Sequence, residues 1–200
     1  MMTLAPEQCD DAIIKLLQDN GVIVSAGHSN ATYEQATTAF DKGIPVATHL
    51  FNAMSPLQHR APGLVGAIYN HPKVMSSIVP DGIHVDFAAV RISKKIMQER
   101  LFIITDAVAE TTSGEYQHIF KGDRFTLPDG TLSGSALTMM KGTRNCVEHA
   151  GIDLEEALRM ASLYPAKVIG KSNKLGRIKK GYNAEMVVFD KQFNVLDVIR

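Results

Sequence analysis

The sequence predicts an α/β protein in which parallel βα units build the sheet. Short apolar runs with the length of buried strands recur through residues 22–104. Stretches with helical spacing separate these runs, and that alternation is typical of a parallel sheet with crossover helices. The predicted strands are VIVS (22–25), PVAT (45–48), VMSSIV (74–79) and LFII (101–104).

Amphipathic spacing predicts the helices around these runs. Residues 6–19 carry an apolar stripe at helical intervals, and Gly21 is expected to end that helix. The stripe consists of Cys9, Ile13, Leu16 and Leu17. Further helices are expected at 32–42, where Gly43 follows, and at 61–69 and 86–97.

The alternation of strand-like and helix-like runs stops after Asp106. Apolar and polar residues alternate over 115–132 around KGD and PDG, which predicts one or two hairpins inserted in a loop. The tail predicts a pair of strands, EMVVFD (185–190) and NVLDVIR (194–200), in a layer separate from the βα units.

Two more helices are expected between the hairpins and the tail, at 135–149 and 153–163. The second opens with Asp153 as its N-cap and has Glu156 three residues later, which is the spacing of a capping box. Its predicted buried stripe consists of Leu154, Ala157, Leu158 and Ala161.

Composition narrows the function classes. The chain has 200 residues, and its 21 Lys and Arg residues balance 21 Asp and Glu residues, so no overall charge attracts nucleic acid or an anionic membrane. A small substrate, neutral or with one charged group, is more consistent with this balance. Cys9 and Cys146 are too few for a disulfide framework. Without a leader pattern or a long apolar run, we expect a cytoplasmic protein.

An ionisable residue follows each of the four predicted strands. His28 follows VIVS and His49 follows PVAT, while His84 and Asp106 follow the next two runs. The carboxyl ends of parallel strands open on one face, where barrel enzymes carry their chemistry. Histidine binds divalent metals and aspartate serves as a ligand or base, so the pattern favours a metal-dependent hydrolase. Taken alone, a histidine after a strand is more often a hydrogen-bonded loop residue than a ligand, and Asp106 alone is equally consistent with a helix cap or a turn.

A long loop at 49–66 is a second candidate site. It holds Asn52 and Arg60, and an arginine there suits the capture of a phosphate or carboxylate, although an exposed arginine without a partner is the alternative. The segment TLSGS (131–135) offers backbone N–H groups but is weak evidence by itself. The remaining histidines, which fall outside the strand-end pattern, are expected to be structural or exposed: His59, His71, His118 and His149.

Several long strings together resemble a known family. They include SAGHSNATYEQA, ATHLFNAMSPLQHRAPGLVGA, PDGIHVD, IITDAVAETTSGEY and LGRIKKGYNAEMVVFD. On these strings the chain resembles the N-acetylglucosamine-6-phosphate deacetylase family of the amidohydrolase superfamily, over nearly its whole length but only over that family's second half. The resemblance implies the second half of a TIM-type (β/α)8 barrel over residues 1–172, followed by C-terminal strands of a small β-sandwich over 173–200.

The resemblance also implies a role for each matching residue. His28 and His49 become metal ligands at the ends of the fifth and sixth barrel strands, and Asp106 becomes the general base and acid at the end of the eighth. The implied cofactor is a divalent metal, zinc first, with iron, cobalt or manganese as alternatives. The residues implied to bind the phosphorylated amino sugar are Asn52, Ala53, Arg60, His84, Leu132, Ser133 and Gly134.

The half-length match leaves two hypotheses. In the first, the chain represents a deacetylase of amino-sugar catabolism, expected to be a homodimer, that lacks barrel strands one to four, a glutamate ligand and a histidine that polarises the amide. In the second, it is a non-catalytic half-barrel that dimerises or pairs with a missing half, and the paired methionines before TLAPE mark an internal or artificial start. A dihydroorotase-like cyclic amidase is the alternative among enzymes.

Overall fold

A five-stranded parallel sheet organises the structure, a computed structural model that describes residues 1–114 and 117–200. The strands lie in chain order, and each pairs in parallel with the next. They are β1 (Met2–Leu4), β2 (Val24–Ala26), β3 (Val46–Ala47), β4 (Met75–Ile78) and β5 (Leu101–Ile103). The parallel α/β prediction is confirmed; β3 to β5 fall within their predicted runs, and β2 overlaps the first run and extends one residue past it to Ala26.

Strand β1 was not predicted. It pairs with β2 through the register Met2 to Val24, so the sheet begins one strand earlier than the resemblance implied. Three residues before a proline carry too short a pattern to be recognised as a strand from sequence alone.

Helices follow the strands and pack against one face of the sheet. They are α1 (Asp11–Asp19), α2 (Tyr33–Asp41), α3 (Gly63–Asn70), α4 (Phe87–Met97), α5 (Met139–Glu148), α6 (Leu154–Ala161) and α7 (Leu163–Val168). One apolar core joins strand residues such as Val24 and Ile103 to helix residues such as Phe40 and Met160. At α2, Thr32 and Gln35 form a reciprocal capping box, which fixes where that helix begins.

The first predicted helix is wrong in its start and in part of its buried face. A short 3₁₀ helix occupies Pro6–Gln8, and α1 begins only at Asp11. Its buried residue is Ile14, whereas Ile13 and Leu16 are 48% and 62% exposed. Cys9 and Leu17, the other two members of the predicted stripe, are partly buried against the core, so a stripe counted through the break at Cys9 and Asp10 is correct for only half of its residues.

The expectations for α5 and α6 also need correction. Helix α5 begins at Met139 rather than at 135, with Thr138 as its N-cap. Asp153 makes no side-chain cap to α6, and the Glu156 carboxylate, which would form the other half of the box, accepts hydrogen bonds from Lys94, Arg159 and Tyr164 instead. Of the predicted stripe of α6, Ala157 is buried but Leu154 is 40% exposed; Met160, which was not predicted, is fully buried. Helix α7 was not predicted.

The inserted segment forms three antiparallel strands, as two successive hairpins require. They are β6 (Ile119–Phe120), β7 (Arg124–Thr126) and β8 (Leu132–Ser135). The predicted hairpins are therefore present in the described residues; the first two residues of the predicted segment, 115 and 116, lie outside them. The predicted tail strands are also confirmed, as the antiparallel pair β9 (Met186–Phe189) and β10 (Val195–Ile199).

The sheet carries hydroxyl groups that face one another across its strands. Thr48 Oγ1 lies 2.9 Å from Thr3 Oγ1 and 2.6 Å from Ser25 Oγ. These bonds join β1 and β2 to the end of β3, so the segment that leads into His49 is held at its start. Across the described residues, no helix is both long and apolar enough to cross a membrane.

One backbone position offers a stability prediction with a matched control. Gly176 has φ +84°, and a Cβ there would lie 2.6 Å from Leu163 Cα. Gly181 has φ +88° but open space around it. We expect Gly176→Ala to lower the free energy of unfolding by about 2–4 kcal/mol and Gly181→Ala by about 1 kcal/mol. Urea unfolding measures both, and equal losses would contradict the proposed backbone clash.

Candidate active site

Three strand-end residues share an uncommon backbone conformation. His28, His49 and Asp106 follow β2, β3 and β5, and their φ angles are +50°, +40° and +52°. Residues other than glycine seldom occupy this left-handed region, and such residues cluster at functional sites. The conformation recurs at the same end of three parallel strands, so it marks that edge of the sheet as the candidate active site.

The two histidine rings meet through the same atom. His49 Nε2 lies 2.9 Å from His28 Nε2, and the ring centroids are 4.7 Å apart at an angle of 62°. His49 is buried and His28 is exposed. The two nitrogens therefore point at one location from neighbouring strands.

Electrostatics around His49 favour a neutral ring. Burial lowers the pKa of His49, Asp106 opposes that effect, and His28 lowers it further, so the net direction is down. A neutral imidazole is the form that ligates a metal.

The histidine pair supplies the right type of ligand for a divalent cation, but two ligands are too few for a catalytic site. Two nitrogens that each bind one zinc ion at about 2.0–2.1 Å lie roughly 3.3 Å apart in tetrahedral geometry, which is close to the observed separation. Within 1–114 and 117–200 no group of three or more His, Cys, Asp or Glu side chains is arranged to hold a metal. Catalytic sites normally use three protein ligands, so a further ligand has to come from outside this set.

Backbone and hydroxyl contacts hold His49 in place. Its N–H donates to Ser77 Oγ on β4 at 2.8 Å, and its carbonyl accepts from the Asn52 N–H at 2.9 Å. In the described part of the chain, His49 Nδ1 and Asn52 Nδ2 are buried without a hydrogen-bond partner. The Asn52 amide is thus a buried donor with no bond in the described residues, and the next residue, Ala53, has φ +47°.

The loop after β3 is tied to the loop after β2. The Ser29 N–H donates to the Ala53 carbonyl at 3.0 Å, and the Ser55 N–H donates to the Ser29 carbonyl at 3.1 Å. Glu7 accepts from the Ser29 hydroxyl at 2.6 Å and extends this network to the start of the chain. The backbone that carries both histidines is therefore one connected unit.

Arg60 lies on the far part of the same loop. It is exposed and borders an open cleft of about 330 Å³ between residues 30–34 and 55–63. Asn52 is not among the residues that line this cleft. The structure thus brings Asn52 and Ala53 to His49 but leaves Arg60 apart from them within the described residues.

His84 is paired with a carboxylate that sequence reasoning missed. Its Nδ1 lies 2.6 Å from Asp81 Oδ2, and both side chains are almost fully buried. Burial raises the pKa of Asp81, but hydrogen bonds from the His84 ring and from the Ile83 and His84 N–H groups outweigh it and lower that pKa. The signal for this pair was the three-residue spacing in PDGIH.

Strand β8 brings Leu132, Ser133 and Gly134 beside the loop that carries Asp106. The Ser135 N–H donates to the Asp106 carbonyl at 2.9 Å, and the Ser135 hydroxyl donates to the Thr105 carbonyl. Ser133 Oγ lies 3.0 Å from His118 Nδ1. A Cβ at Gly134 would meet Val108 at 2.7 Å, so this strand approaches the loop closely.

The fold and the strand-end residues define the class of protein. The profile of the amidohydrolase family matches residues 3–200, and the chain belongs to that family. It is similar to the N-acetylglucosamine-6-phosphate deacetylase of Haemophilus influenzae, with 42% identity over 90% of this chain and 49% of that protein. It is 34% identical to the N-acetylgalactosamine-6-phosphate deacetylase of Escherichia coli O157:H7, over 99% of this chain and 55% of that protein.

A solved structure gives the same assignment. The crystal structure of N-acetylglucosamine-6-phosphate deacetylase from Pasteurella multocida superimposes with a TM-score of 0.93 at 41% identity, over 98% of this chain and 54% of that chain. The chain therefore spans about half the length of the relatives that it matches.

Proposed function

We propose that the chain supplies the second half of a metal-dependent active centre that hydrolyses N-acetylglucosamine 6-phosphate to glucosamine 6-phosphate and acetate. The observation that carries this proposal is the convergence of His28 and His49 Nε2 at the edge of the sheet where Asp106 follows β5. The names of the relatives supply the substrate class. The reaction belongs to amino-sugar catabolism, which is consistent with a cytoplasmic protein.

His28 and His49 hold the divalent cation, zinc in the first instance, through Nε2. When bound there, the cation polarises the acetamide carbonyl and makes a water more acidic. Asp106 takes a proton from the attacking water while the oxygen–carbon bond forms, and returns it to the amine nitrogen as the carbon–nitrogen bond breaks. The Asp106 backbone carbonyl accepts a hydrogen bond from the Ser135 N–H, which fixes the loop that carries the carboxylate.

The remaining predicted residues bind the sugar phosphate. Asn52 and Ala53 supply donors for the phosphate, a role supported by the unpartnered amide of Asn52 in the described chain. Arg60 joins them only if its loop moves or if it serves a neighbouring subunit of a homodimer. His84 contacts the sugar, and Leu132, Ser133 and Gly134 enclose the acetyl group.

In this proposal residues 1–172 are part of a TIM-type barrel and residues 173–200 belong to a small β-sandwich. Two features support an incomplete barrel. Among the described residues β1 and β5 each pair with only one other strand, and β9 and β10 carry exposed apolar side chains such as Val187 and Leu196. A closed barrel abolishes such open edges.

A completed chimera tests the proposal. It joins the first half of the Haemophilus influenzae relative to this chain, and acetate release from N-acetylglucosamine 6-phosphate is measured for the chimera and for the chain alone. We expect turnover by the chimera only. The unphosphorylated sugar should react much more slowly, and comparison with N-acetylgalactosamine 6-phosphate defines the sugar preference.

Two outcomes would contradict the proposal. A folded, metal-loaded chimera that releases no acetate would support the non-catalytic fragment. Hydrolysis of a cyclic amide such as dihydroorotate, without hydrolysis of either acetamido sugar, would support the cyclic amidase instead.

A further inference from the structure

The loop after β4 holds a buried pair of ionisable side chains in which both carboxylate oxygens are hydrogen-bonded. His84 and Asp81 side chains are 6% and 5% exposed. Asp81 Oδ1 accepts the N–H groups of Ile83 and His84 at 2.9 and 2.7 Å, while Asp81 Oδ2 lies 2.6 Å from His84 Nδ1. One carboxylate oxygen therefore fixes the turn, and the other contacts the ring.

The surrounding structure keeps this loop in one conformation. Gly82 has φ +76°, and a Cβ there would lie 2.8 Å from the Phe87 ring. The buried Asn145 side chain on α5 donates to the Pro80 carbonyl at 2.9 Å. Because both ends of the turn are held, His84 cannot move away from Asp81 without breaking several contacts.

The pair determines which ring nitrogen carries the proton. An ionised carboxylate only accepts hydrogen bonds, so His84 Nδ1 has to be the donor. In a neutral ring, Nε2 then has a free lone pair, and in the described residues no protein group bonds to it. His84 lies after β4, between the strands that precede His49 and Asp106, so this acceptor belongs to the same edge of the sheet.

We propose that Asp81 is a positioning residue that holds His84 as the neutral tautomer protonated on Nδ1, so that Nε2 accepts a hydrogen bond from a hydroxyl group of the substrate. The identity of that substrate as a sugar rests on the proposed function. The tautomer itself does not, because it follows from contacts within this loop.

Asp81→Asn is a sharp test of the tautomer. The amide oxygen of the variant has to remain at the Oδ1 position to accept the two backbone N–H groups, which places its NH₂ group against His84 Nδ1. An NH₂ group donates, so Nδ1 becomes the acceptor and the proton moves to Nε2. Asp86→Asn is the matched control, because Asp86 caps α4 through the Ala88 N–H and is not bonded to His84.

Long-range ¹H–¹⁵N spectra of the histidine-labelled 200-residue chain report the tautomer directly. We expect His84 to be protonated on Nδ1 in the native chain and in Asp86→Asn, and on Nε2 in Asp81→Asn. A native His84 that is protonated on Nε2, or on both nitrogens at neutral pH, overturns the proposal whether or not the variant folds. An unchanged tautomer in a folded Asp81→Asn chain also overturns it.

Kinetics of the completed chimera test the use of this acceptor. His84→Ala in the chimera removes this acceptor altogether and should raise KM for the phosphorylated sugar by about 3- to 10-fold, with kcat and metal content nearly unchanged. An unchanged KM would overturn the binding role. If the chimera has no turnover at all while the tautomer is as expected, the proposed function fails and the role of Asp81 at His84 stands.

Discussion

Asp106→Asn in the completed chimera is expected to lower the rate of acetate release by about 10²- to 10⁴-fold, the range of general acid–base catalysis. The amide cannot take a proton from water or return one to the amine. The metal content should not change, because His28 and His49 retain their nitrogens.

The structure explains why this variant should fold. Asp106 has φ +52°, and asparagine tolerates the left-handed region as well as aspartate does. The hydrogen bond from the Ser135 N–H is accepted by the backbone carbonyl of Asp106 and does not involve the Asp106 side chain. Asp41→Asn, at the exposed end of α2, is the control and should leave the rate unchanged. A chimera with Asp106→Asn that keeps more than a tenth of the rate would exclude Asp106 as the base.

His49→Ala is expected to weaken zinc binding to the chain by at least about 100-fold. This loss exceeds the usual effect of substituting a residue that only hydrogen-bonds to a metal ligand. His49 is the buried member of the pair, held by Ser77 and Asn52, so its removal deletes the better-ordered nitrogen. His28→Ala should have a similar effect.

Competition with a chromophoric chelator measures the zinc affinity. His59→Ala is the matched control, because His59 is exposed and lies in the distal part of the loop after β3. Equal affinity in His49→Ala and His59→Ala would show that zinc binds elsewhere on the chain.

Much of the position of this site in the fold could be predicted from the sequence. The recurrence of one ionisable residue after each strand predicted that His28, His49, His84 and Asp106 share an edge, and the parallel order of β2 to β5 puts them there. That prediction succeeds because parallel strands all end on the same side, which is a property of chain direction and not of side-chain detail.

Other features depend on contacts between distant segments and could not be read from local patterns. Ser77 and Ser135 look like ordinary small residues in the sequence. In the structure, Ser77 on β4 bonds to the backbone of His49, and Ser135 on β8 bonds to the backbone of Asp106. The left-handed backbone at His28 and Asp106 could not be predicted from residue type alone, because most His and Asp residues lie outside that region although both types are enriched in it. The failed capping box at Asp153 has the same cause, since Glu156 finds better partners on α4 and α7.

A zinc titration followed by ¹⁵N spectra of His28 and His49 tests the central claim most directly. Because the two Nε2 atoms lie 2.9 Å apart, one ion should affect both. The account predicts that both Nε2 resonances change together and that the change is complete at one zinc per chain. Resonances that respond at different zinc concentrations, or that do not respond while zinc binds, would contradict a shared metal centre.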